Sequence, residues 1–361
     1  MTLTLSDDSG NVIDKVTRRI GFKKTEIIDG VFYLNGVQLK VNAQCSHMQH
    51  PVTGHYITEE VIRKDMEILK QFGFNAVRTS HYPPVNRYME LADEYGLYII
   101  DETGDEAHAT EYVCSMPEFT EMYRERVRRM VLRDRNHISV LFWSAGNESG
   151  GGNNFESVMK AIKALDTSRI THYEGNSQWS DVTSTMYGSY SDMLSIAKSR
   201  RNGTNIRPHI QCENTHAMGN SMGNQNDYFK DIYEPYPAMA GEFVWDWKDQ
   251  GIKMPVPGKA NQYYWAYGGD FGDNPNDGSF CCNGVVLADC TPTAKSFNMK
   301  GVYQPLDIIP LNAEQGIFRA KNKLQQVRFS GYNTQYTICE NVCQGGLQAF
   351  GKIFPWPFFM E

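Results

Sequence analysis

The sequence is poor in cysteine, and its cysteines do not form a metal or redox motif. Eight cysteines in 361 residues are too few for a disulfide scaffold. No two of them form a C-x-x-C pair, although Cys281 and Cys282 are adjacent and Cys339 and Cys343 are four positions apart. We therefore expect buried thiols, and the sequence leaves a disulfide open.

Other absences exclude whole classes of protein. The formal net charge of −7 provides no basic excess to neutralise phosphates, so we do not expect a nucleic-acid partner. No apolar run reaches the roughly 18 residues that cross a bilayer, so we expect no membrane association. Residues 1–12 are typical of strand and turn rather than of a signal peptide, which leaves cytoplasm and periplasm open.

From about residue 36 onward, short apolar runs alternate with amphipathic helices. The helix predicted over 58–73, for example, places Ile62, Met66 and Leu69 on one stripe. Strands are predicted at 38–46, 76–80, 97–102, 139–144, 169–174, 180–187, 207–212 and 239–247. Helices are predicted at 58–73, 83–96, 117–136 and 154–166. The basic run 124–129 is interpreted as the solvated face of one helix.

This alternation predicts an α/β protein with a (β/α)₈ TIM barrel over residues 31–300. The alternative is an open, doubly wound sheet. No G-x-G-x-x-G or P-loop follows the first strand, and polar residues follow most strands rather than one or two, which favours the barrel. A hairpin is predicted at 2–13, and further strands after about residue 300, so we expect incomplete β-domains over 1–30 and 301–361.

The polar residues that follow the strands would meet at one mouth of the barrel. They include His47, Arg78, His81, Asp101, Glu102, Asp105, Glu106, His108, Asn147, Glu148, Met186, Tyr187, Glu213, His216, Trp245, Asp246 and Trp247. Such an acidic, aromatic cavity suits glycoside hydrolysis, in which one carboxylic acid protonates the leaving oxygen and a second carboxylate attacks the anomeric carbon or activates a water. Glu148 and Glu213, which follow strands four and seven, are the candidate pair.

Each candidate also has a simpler interpretation. A lone glutamate after a strand is commonly a solvated loop residue or a helix cap. Glu106-x-His108 together with Glu148 could hold a metal, although E-x-H alone is a weak signal. Trp245 and Trp247 alternate, so we expect one of them in the core. The clustering of polar residues after at least six strands favours the catalytic interpretation.

Several longer motifs resemble glycoside hydrolase family 2, most closely its β-galactosidases, across roughly residues 18–305. They are RTSHYPP (78–84), YGLYIIDET (95–103), RDRNHISVLFWSAGNES (133–149), CENTHAMGNS (212–221), FVWDWKDQG (243–251), YGGDFGD (267–273) and FCCNG (280–284). The resemblance implies a retaining exo-β-glycosidase that removes terminal β-galactosyl residues through a covalent intermediate. It also implies that residues 1–30 are the remnant of an immunoglobulin-like β-sandwich.

The resemblance implies a role for each matching position. Glu148 would be the acid/base and Glu213 the nucleophile, and magnesium would be held by Glu106, His108 and Glu148. A sodium ion would be held by Phe280 and Asn283. The sugar would be bound by His47, Arg78, His81, Asn147, Met186, Tyr187, His216, Trp245 and Asn283.

The sequence also departs from the family pattern. Asn214 and Thr215 stand where the family usually has Tyr and Ala, and SHMQHP (46–51) lacks the usual Arg and acidic residue. These changes leave open another β-glycoside, such as a galactan oligosaccharide or a glucuronide, although no Asn-x-Lys pair typical of glucuronidases is found. Because the flanking domains look truncated, a non-catalytic sugar-binding remnant is the rival, and a homo-oligomeric full-length protein stays open.

Overall fold

Two small antiparallel sheets precede the central sheet. The first consists of β1 (Thr2–Ser6) and β2 (Val12–Thr17), and the second of β3 (Thr25–Ile28), β4 (Val31–Leu34) and β5 (Val37–Gln38). The predicted hairpin at 2–13 is thus confirmed. Its turn is closed by Asp7, whose carboxylate accepts the backbone N–H groups of Ser9 and Asn11.

The computed structural model describes residues 1–201, 207–315, 317–324 and 359–360. Its central sheet has eight parallel strands. They are β6 (Val41–Cys45), β7 (Ala76–Arg78), β8 (Tyr98–Glu102), β9 (Val140–Ser144), β10 (Ile170–His172), β11 (Thr183–Met186), β12 (His209–Asn214) and β13 (Met239–Val244). All eight predicted strands are therefore confirmed; β12 is shifted by two residues toward the carboxyl end, and the other seven are shorter than predicted.

The strand order is that of a barrel. It runs β10-β9-β8-β7-β6-β13-β12-β11, so the first and last barrel strands in the chain, β6 and β13, pair in parallel. Across the remaining seam, the backbone N–H of Asp181 donates to the Thr171 carbonyl at 3.1 Å. His172 Nε2 lies 3.1 Å from Ser184 Oγ across the same seam. The sheet is therefore nearly closed, as predicted for a (β/α)₈ barrel and unlike an open sheet.

Helices cover the outside of the barrel, and the first four of them present apolar stripes to the strands. The helices are α1 (Glu59–Gln71), α2 (Asn86–Tyr95), α3 (Thr120–Asp134), α4 (Asn154–Leu165), α5 (Tyr190–Arg201) and α6 (Gln225–Tyr228). In α1 the predicted stripe of Ile62, Met66 and Leu69 is buried. The four predicted helices are confirmed, whereas α5 was not predicted. No helix in the described part of the chain combines the length and apolarity needed to cross a membrane.

The chain after the barrel strands forms a hairpin, a helix and a small separate sheet. These elements are β14 (Ile252–Pro255), β15 (Tyr263–Ala266), α7 (Ala294–Val302), β16 (Leu306–Asn312), β17 (Ile317–Asn322) and β18 (Phe359–Met360). Two compact units result, Met1–Tyr303 and Gln304–Glu361. The strands expected around residues 332–346, with Cys339 and Cys343, lie outside the described residues. The identities of the flanking domains stay predictions.

The apolar side chains of the barrel form two clusters, and polar side chains gather at the ends of the strands. Inside the barrel, Phe32 and Leu34 of β4 pack with residues such as Val41 and Phe142, whereas a larger cluster fills the space between strands and helices. The strands end at polar residues, including Arg78, Glu102, Ser144 and His172. Polar chemistry is therefore concentrated at the carboxyl ends of the strands, where barrel active sites lie.

The described cysteines are unpaired. Cys45, Cys114, Cys212 and Cys290 are buried, as expected, but Cys281 and Cys282 are only half-buried. The expectation of uniformly buried thiols is therefore wrong for this adjacent pair. They lie in a short 3₁₀ turn and the loop after it, outside the core.

Candidate active site

The guanidinium of Arg78 is the hub of the polar cluster. It is completely buried at the end of β7. Its Nε and Nη2 donate to the two oxygens of Glu102 at 2.8 and 3.0 Å. Its Nη1 donates to Glu213 Oε1 at 3.1 Å, and Nη2 donates to Asn147 Oδ1 at 2.7 Å. One arginine thus joins side chains from four different strand ends.

Glu213 lies at the end of β12 and is almost inaccessible, with 5% of its surface exposed. Its second carboxylate oxygen, Oε2, accepts a hydrogen bond from the Tyr187 hydroxyl at 2.7 Å. Burial raises the pKa of Tyr187, and the carboxylates of Glu213 and Glu148 raise it further, so this phenol stays protonated as a donor. Glu213 therefore has both oxygens oriented, one by Arg78 and one by Tyr187.

Glu148 lies beside this cluster on a more open turn after β9. Its backbone has φ = 30°, in the left-handed region that residues other than glycine rarely occupy. The preceding residue, Asn147, is buried and is bound by Arg78. Glu148 keeps 37% of its side chain exposed, against 6% for Glu213. The two carboxylates thus have different environments and are linked through Arg78 and Asn147.

Glu148 and two neighbouring side chains form the candidate metal centre. Ligand atoms of Glu106, His108 and Glu148 all lie within 4.8 Å of one another. His108 Nδ1 lies 2.8 Å from Glu148 Oε2, and this contact raises the pKa of His108. Burial raises the pKa of Glu106, as does the Glu148 carboxylate. Two carboxylates and an imidazole on an exposed edge, with room for waters, fit a magnesium ion.

Histidine and tryptophan rings form one wall of the cavity. Trp245 stacks on His81, with ring centroids 5.1 Å apart and planes at 7°, and meets His47 edge-on at 5.5 Å. Burial, together with the neighbouring His81, lowers the pKa of His47 to about 3, so His47 is neutral. Trp247 is buried in the core with its N–H on Asp65, which confirms that one of the two tryptophans is structural.

A second group of predicted ligands lies around Tyr187, which binds Glu213. The rings of Tyr187 and His216 are 6.2 Å apart, and those of His216 and Phe280 are 5.2 Å apart. Met186 pairs with Glu213 in the ladder between β11 and β12. The structure therefore brings these predicted residues next to Glu213.

Asn283 supports the tryptophan wall, and its fit to a sodium site is incomplete. Its amide oxygen accepts from Trp245 Nε1 at 2.9 Å, and its amide nitrogen donates to Asp246 at 3.0 Å. The Phe280 side chain has no ligand atom, so Phe280 could offer only its carbonyl oxygen. Together the two residues supply two oxygens, one of them already hydrogen-bonded. The sodium site stays a prediction, and we derive no step through it.

Sequence reasoning assigned no role to three polar residues of this cluster, and of these three it named Glu102 alone at the mouth of the barrel. Glu102 is fully buried; burial opposes its ionisation, but Arg78 and His81 prevail and bring its pKa down to about 2. His172 joins the same group through Ser144, whose hydroxyl contacts both His172 and Glu102. Burial raises the pKa of Glu174 to about 7, against the effect of Arg78. The signal for all three was available, since each lies at or just after the end of a strand.

The geometry fits the two-carboxylate pattern. One buried carboxylate is oriented by a cation and a phenol, and a second, more accessible carboxylate lies beside a candidate metal centre. Aromatic rings and the neutral His47 belong to the same cluster of strand-end residues. Such a site can orient a neutral sugar against a nucleophile and an acid.

Comparison with known proteins identifies the barrel. Residues 25–308 match the family model described as glycosyl hydrolases family 2, TIM barrel domain. A β-galactosidase of Priestia megaterium is 38% identical over 357 residues, which cover 94% of this chain and 34% of the relative. A β-galactosidase of Photobacterium profundum is 39% identical over 307 residues, which cover 81% of this chain and 29% of that relative. The chain spans about a third of the length of these curated relatives.

Solved structures support the same fold. A β-glucuronidase from Ruminococcus gnavus in complex with a C6-substituted uronic isofagomine superposes with a TM-score of 0.64 at 21% sequence identity. The match covers 83% of this chain and 56% of that chain. At this identity the likeness establishes the fold alone.

Proposed function

This chain belongs to glycoside hydrolase family 2, and on that premise we propose that it hydrolyses terminal β-D-galactosyl groups with retention of configuration. The observation that carries the proposal is the double orientation of Glu213 by Arg78 and Tyr187, at 3.1 and 2.7 Å. A carboxylate fixed in this way has one defined direction of attack. The kinship with β-galactosidases supports galactose as the sugar.

In the proposed reaction, Glu213 attacks the anomeric carbon while Glu148 gives its proton to the leaving oxygen. A covalent galactosyl-Glu213 ester results and one alcohol leaves. Glu148 then takes a proton from a water, which attacks the same carbon, releases galactose and regenerates the Glu213 carboxylate. We assign the sugar's 2-hydroxyl to Asn147, whose amide oxygen is held by Arg78 and whose amide nitrogen lies 3.5 Å from His81 Nε2.

We further propose that Glu106, His108 and Glu148 hold magnesium, because their donor set suits that ion. The ion would supply a fixed positive charge beside Glu148, which favours the ionised form of this carboxylate. Around it, His108 and Glu106 would orient Glu148, and the buried Asn147 would anchor the turn.

The charges of the site favour a neutral sugar over a glucuronide. A uronic acid brings a carboxylate that needs a cationic partner. Among the described site residues, Arg78 is the cation, and its donors are used by Glu102, Glu213 and Asn147. The stacked rings of His81 and Trp245 offer a flat apolar surface instead.

The test is turnover of 4-nitrophenyl β-glycosides, with the galactoside, glucoside and glucuronide compared. We expect the galactoside to have the highest kcat/KM, and Glu213→Gln to lose more than about 10³-fold in kcat. Glu118→Gln, an exposed change on the loop before α3, is the matched control and should be unchanged. A Glu213→Gln rate within tenfold of the parent would refute the nucleophile assignment. Galactose binding without turnover by the parent would favour the non-catalytic remnant.

A further inference from the structure

Another buried carboxylate lies on the helix side of the barrel wall, where it binds the side chain of the residue that follows Glu213. Glu242 is in β13 and is completely inaccessible. One of its oxygens accepts a hydrogen bond from the Asn214 amide, and the other accepts from the Tyr303 hydroxyl at 3.1 Å. Neither oxygen meets a basic side chain among the described residues. Burial raises the pKa of Glu242 to about 7, although these two hydrogen bonds act against the rise.

Asn214 connects Glu242 to the site. Its side chain points to the helix side of the wall, whereas Glu213, one residue earlier, points to Arg78. The carbonyl of Glu213 accepts from the Tyr187 N–H at 2.8 Å, and the carbonyl of Asn214 accepts from the Trp245 N–H at 2.9 Å. These two backbone bonds fix the Glu213–Asn214 segment between the chains that follow β11 and β13. The hydrogen bond from the Asn214 side chain to Glu242 fixes the orientation of this segment from the helix side.

The chain bends directly after this point, so the anchor matters. Thr215 has φ = 51°, in the left-handed region, and the strand ends at Asn214. Beyond it the next backbone bond on this side is from the Ala217 N–H to the Trp245 carbonyl, at 2.7 Å. On the outer face, Glu242 accepts the hydrogen bond of the Asn214 amide, and Gln225 Nε2 donates to Thr215 Oγ1.

The support behind Glu242 is rigid. The Tyr303 ring packs against Phe74 and Phe229, with centroids 5.1 and 5.0 Å away. Nearby, the Tyr233 hydroxyl accepts from Gln211 Nε2 at 2.9 Å, which ties β12 to the helix layer at a second point. The Asn214 side chain is therefore held, through Glu242 and Tyr303, against the packed layer between the strands and the helices.

We propose that Glu242 is a positioning residue, which acts through Asn214 to fix the main chain of Glu213. The inference rests on the proposed function, because it assigns Glu242 to the placement of the nucleophile. Since a shift of roughly 1 Å in a reacting group can cost about 10²-fold in rate, an anchor one residue from the nucleophile should act on kcat. Substrate contacts are untouched, so KM should change little.

The test measures kcat and KM on 4-nitrophenyl β-galactoside for Glu242→Ala, Asn214→Ala, the double variant and Glu242→Gln. Rates are referred to folded protein, measured by circular dichroism and size exclusion. We expect each alanine variant to lose at least about tenfold in kcat with KM within about threefold, and the double variant to lose no more than either single one. Glu242→Gln, which keeps an acceptor and a donor for Asn214, should restore kcat to within about threefold.

Tyr123→Phe is the matched control, since it removes a buried hydroxyl from the same outer layer, where its partner is Cys114, and leaves Glu242, Asn214 and Gln211 with their partners. Its kcat should equal the parent's. If Glu242→Ala does not fold, Asn214→Ala alone decides. A kcat of Asn214→Ala or Glu242→Ala within threefold of the parent, or losses that add in the double variant, overturns the inference alone. No turnover of any aryl glycoside by the parent overturns the proposed function and the inference together.

Discussion

Arg78 and Glu213 form a buried ion pair, with Nη1 of the arginine 3.1 Å from Oε1 of the glutamate and side-chain exposures of 0% and 6%. The same guanidinium is bidentate to Glu102, which is equally buried. Two carboxylates therefore depend on one cation, inside the end of the barrel. Because Arg78 serves both carboxylates, its loss would affect the stability of the fold and the orientation of Glu213 together.

Arg78→Met should destabilise the protein strongly, because it leaves Glu102 and Glu213 buried without their cation. Removing one partner of a buried pair costs about 3–5 kcal/mol. The folded pKa of Glu102 is about 2, below the unfolded value of roughly 4.3, so its share of stability is present above pH 4 and is lost as pH falls toward 2. The difference in free energy of unfolding between parent and variant, measured with urea, should be smaller at pH 3 than at pH 7. A difference that is constant or larger at pH 3 would contradict this assignment.

Glu148→Gln should affect substrates according to their leaving groups. General acid catalysis contributes about 10²–10⁴-fold where the leaving oxygen needs a proton. A methyl galactoside should therefore lose that much in kcat/KM, whereas a 2,4-dinitrophenyl galactoside, whose phenolate leaves unprotonated, should lose far less. Equal losses on both substrates would exclude Glu148 as the acid.

Magnesium should bind the chain and stabilise it. By mass action, an ion at about a hundredfold its Kd adds about 2.7 kcal/mol to the free energy of unfolding. Calorimetric titration with magnesium chloride should show one site, and Glu106→Gln should weaken it by at least about tenfold. Glu118→Gln serves again as the control, since it lies outside the three-residue cluster. Equal magnesium affinity in the parent and Glu106→Gln would reject this centre.

Asp101→Asn should stabilise the protein at neutral pH. No donor among the described residues meets the oxygens of this buried carboxyl, and its neighbour Asp134 is itself a carboxyl. Burial raises the pKa of Asp101 well above its usual value, and Asp134 acts in the same direction. The unfolded chain loses this proton first, near pH 4, so the cost to stability grows as pH rises from there. The variant's urea midpoint should exceed the parent's at pH 7.5 and equal it near pH 4; equal midpoints at both pH values would count against a strained Asp101.

Much of the barrel was predictable because its signals are local. Short runs rich in apolar residues, such as LYIIDE (97–102) and SVLFWS (139–144), identified strands, and stripes such as that of Ile62, Met66 and Leu69 identified the helices. Helix α5 was not predictable in this way. Among its described side chains, Met193 and Ala197 are fully buried, and two residues are too few to define a stripe.

The site followed from the sequence only in part. Strand ends and family motifs pointed to the residues now found around Arg78, but the sequence carried no sign of how they pair. Glu102 contacts an arginine 24 positions away, and Asn214 contacts an acid 28 positions away. Such pairs are set by strand neighbours in the closed sheet, which no local pattern encodes. The departure at Asn214 looked like a change in sugar preference, whereas its side chain faces the outer layer.

The most direct test is to trap the proposed ester with 2,4-dinitrophenyl 2-deoxy-2-fluoro-β-galactoside, in which the fluorine slows release more than attack. Intact mass should rise by one fluorogalactosyl group per chain, and peptide mapping should find it on Glu213. Label on any other residue, or no label under conditions where the parent turns over the galactoside, would contradict the account.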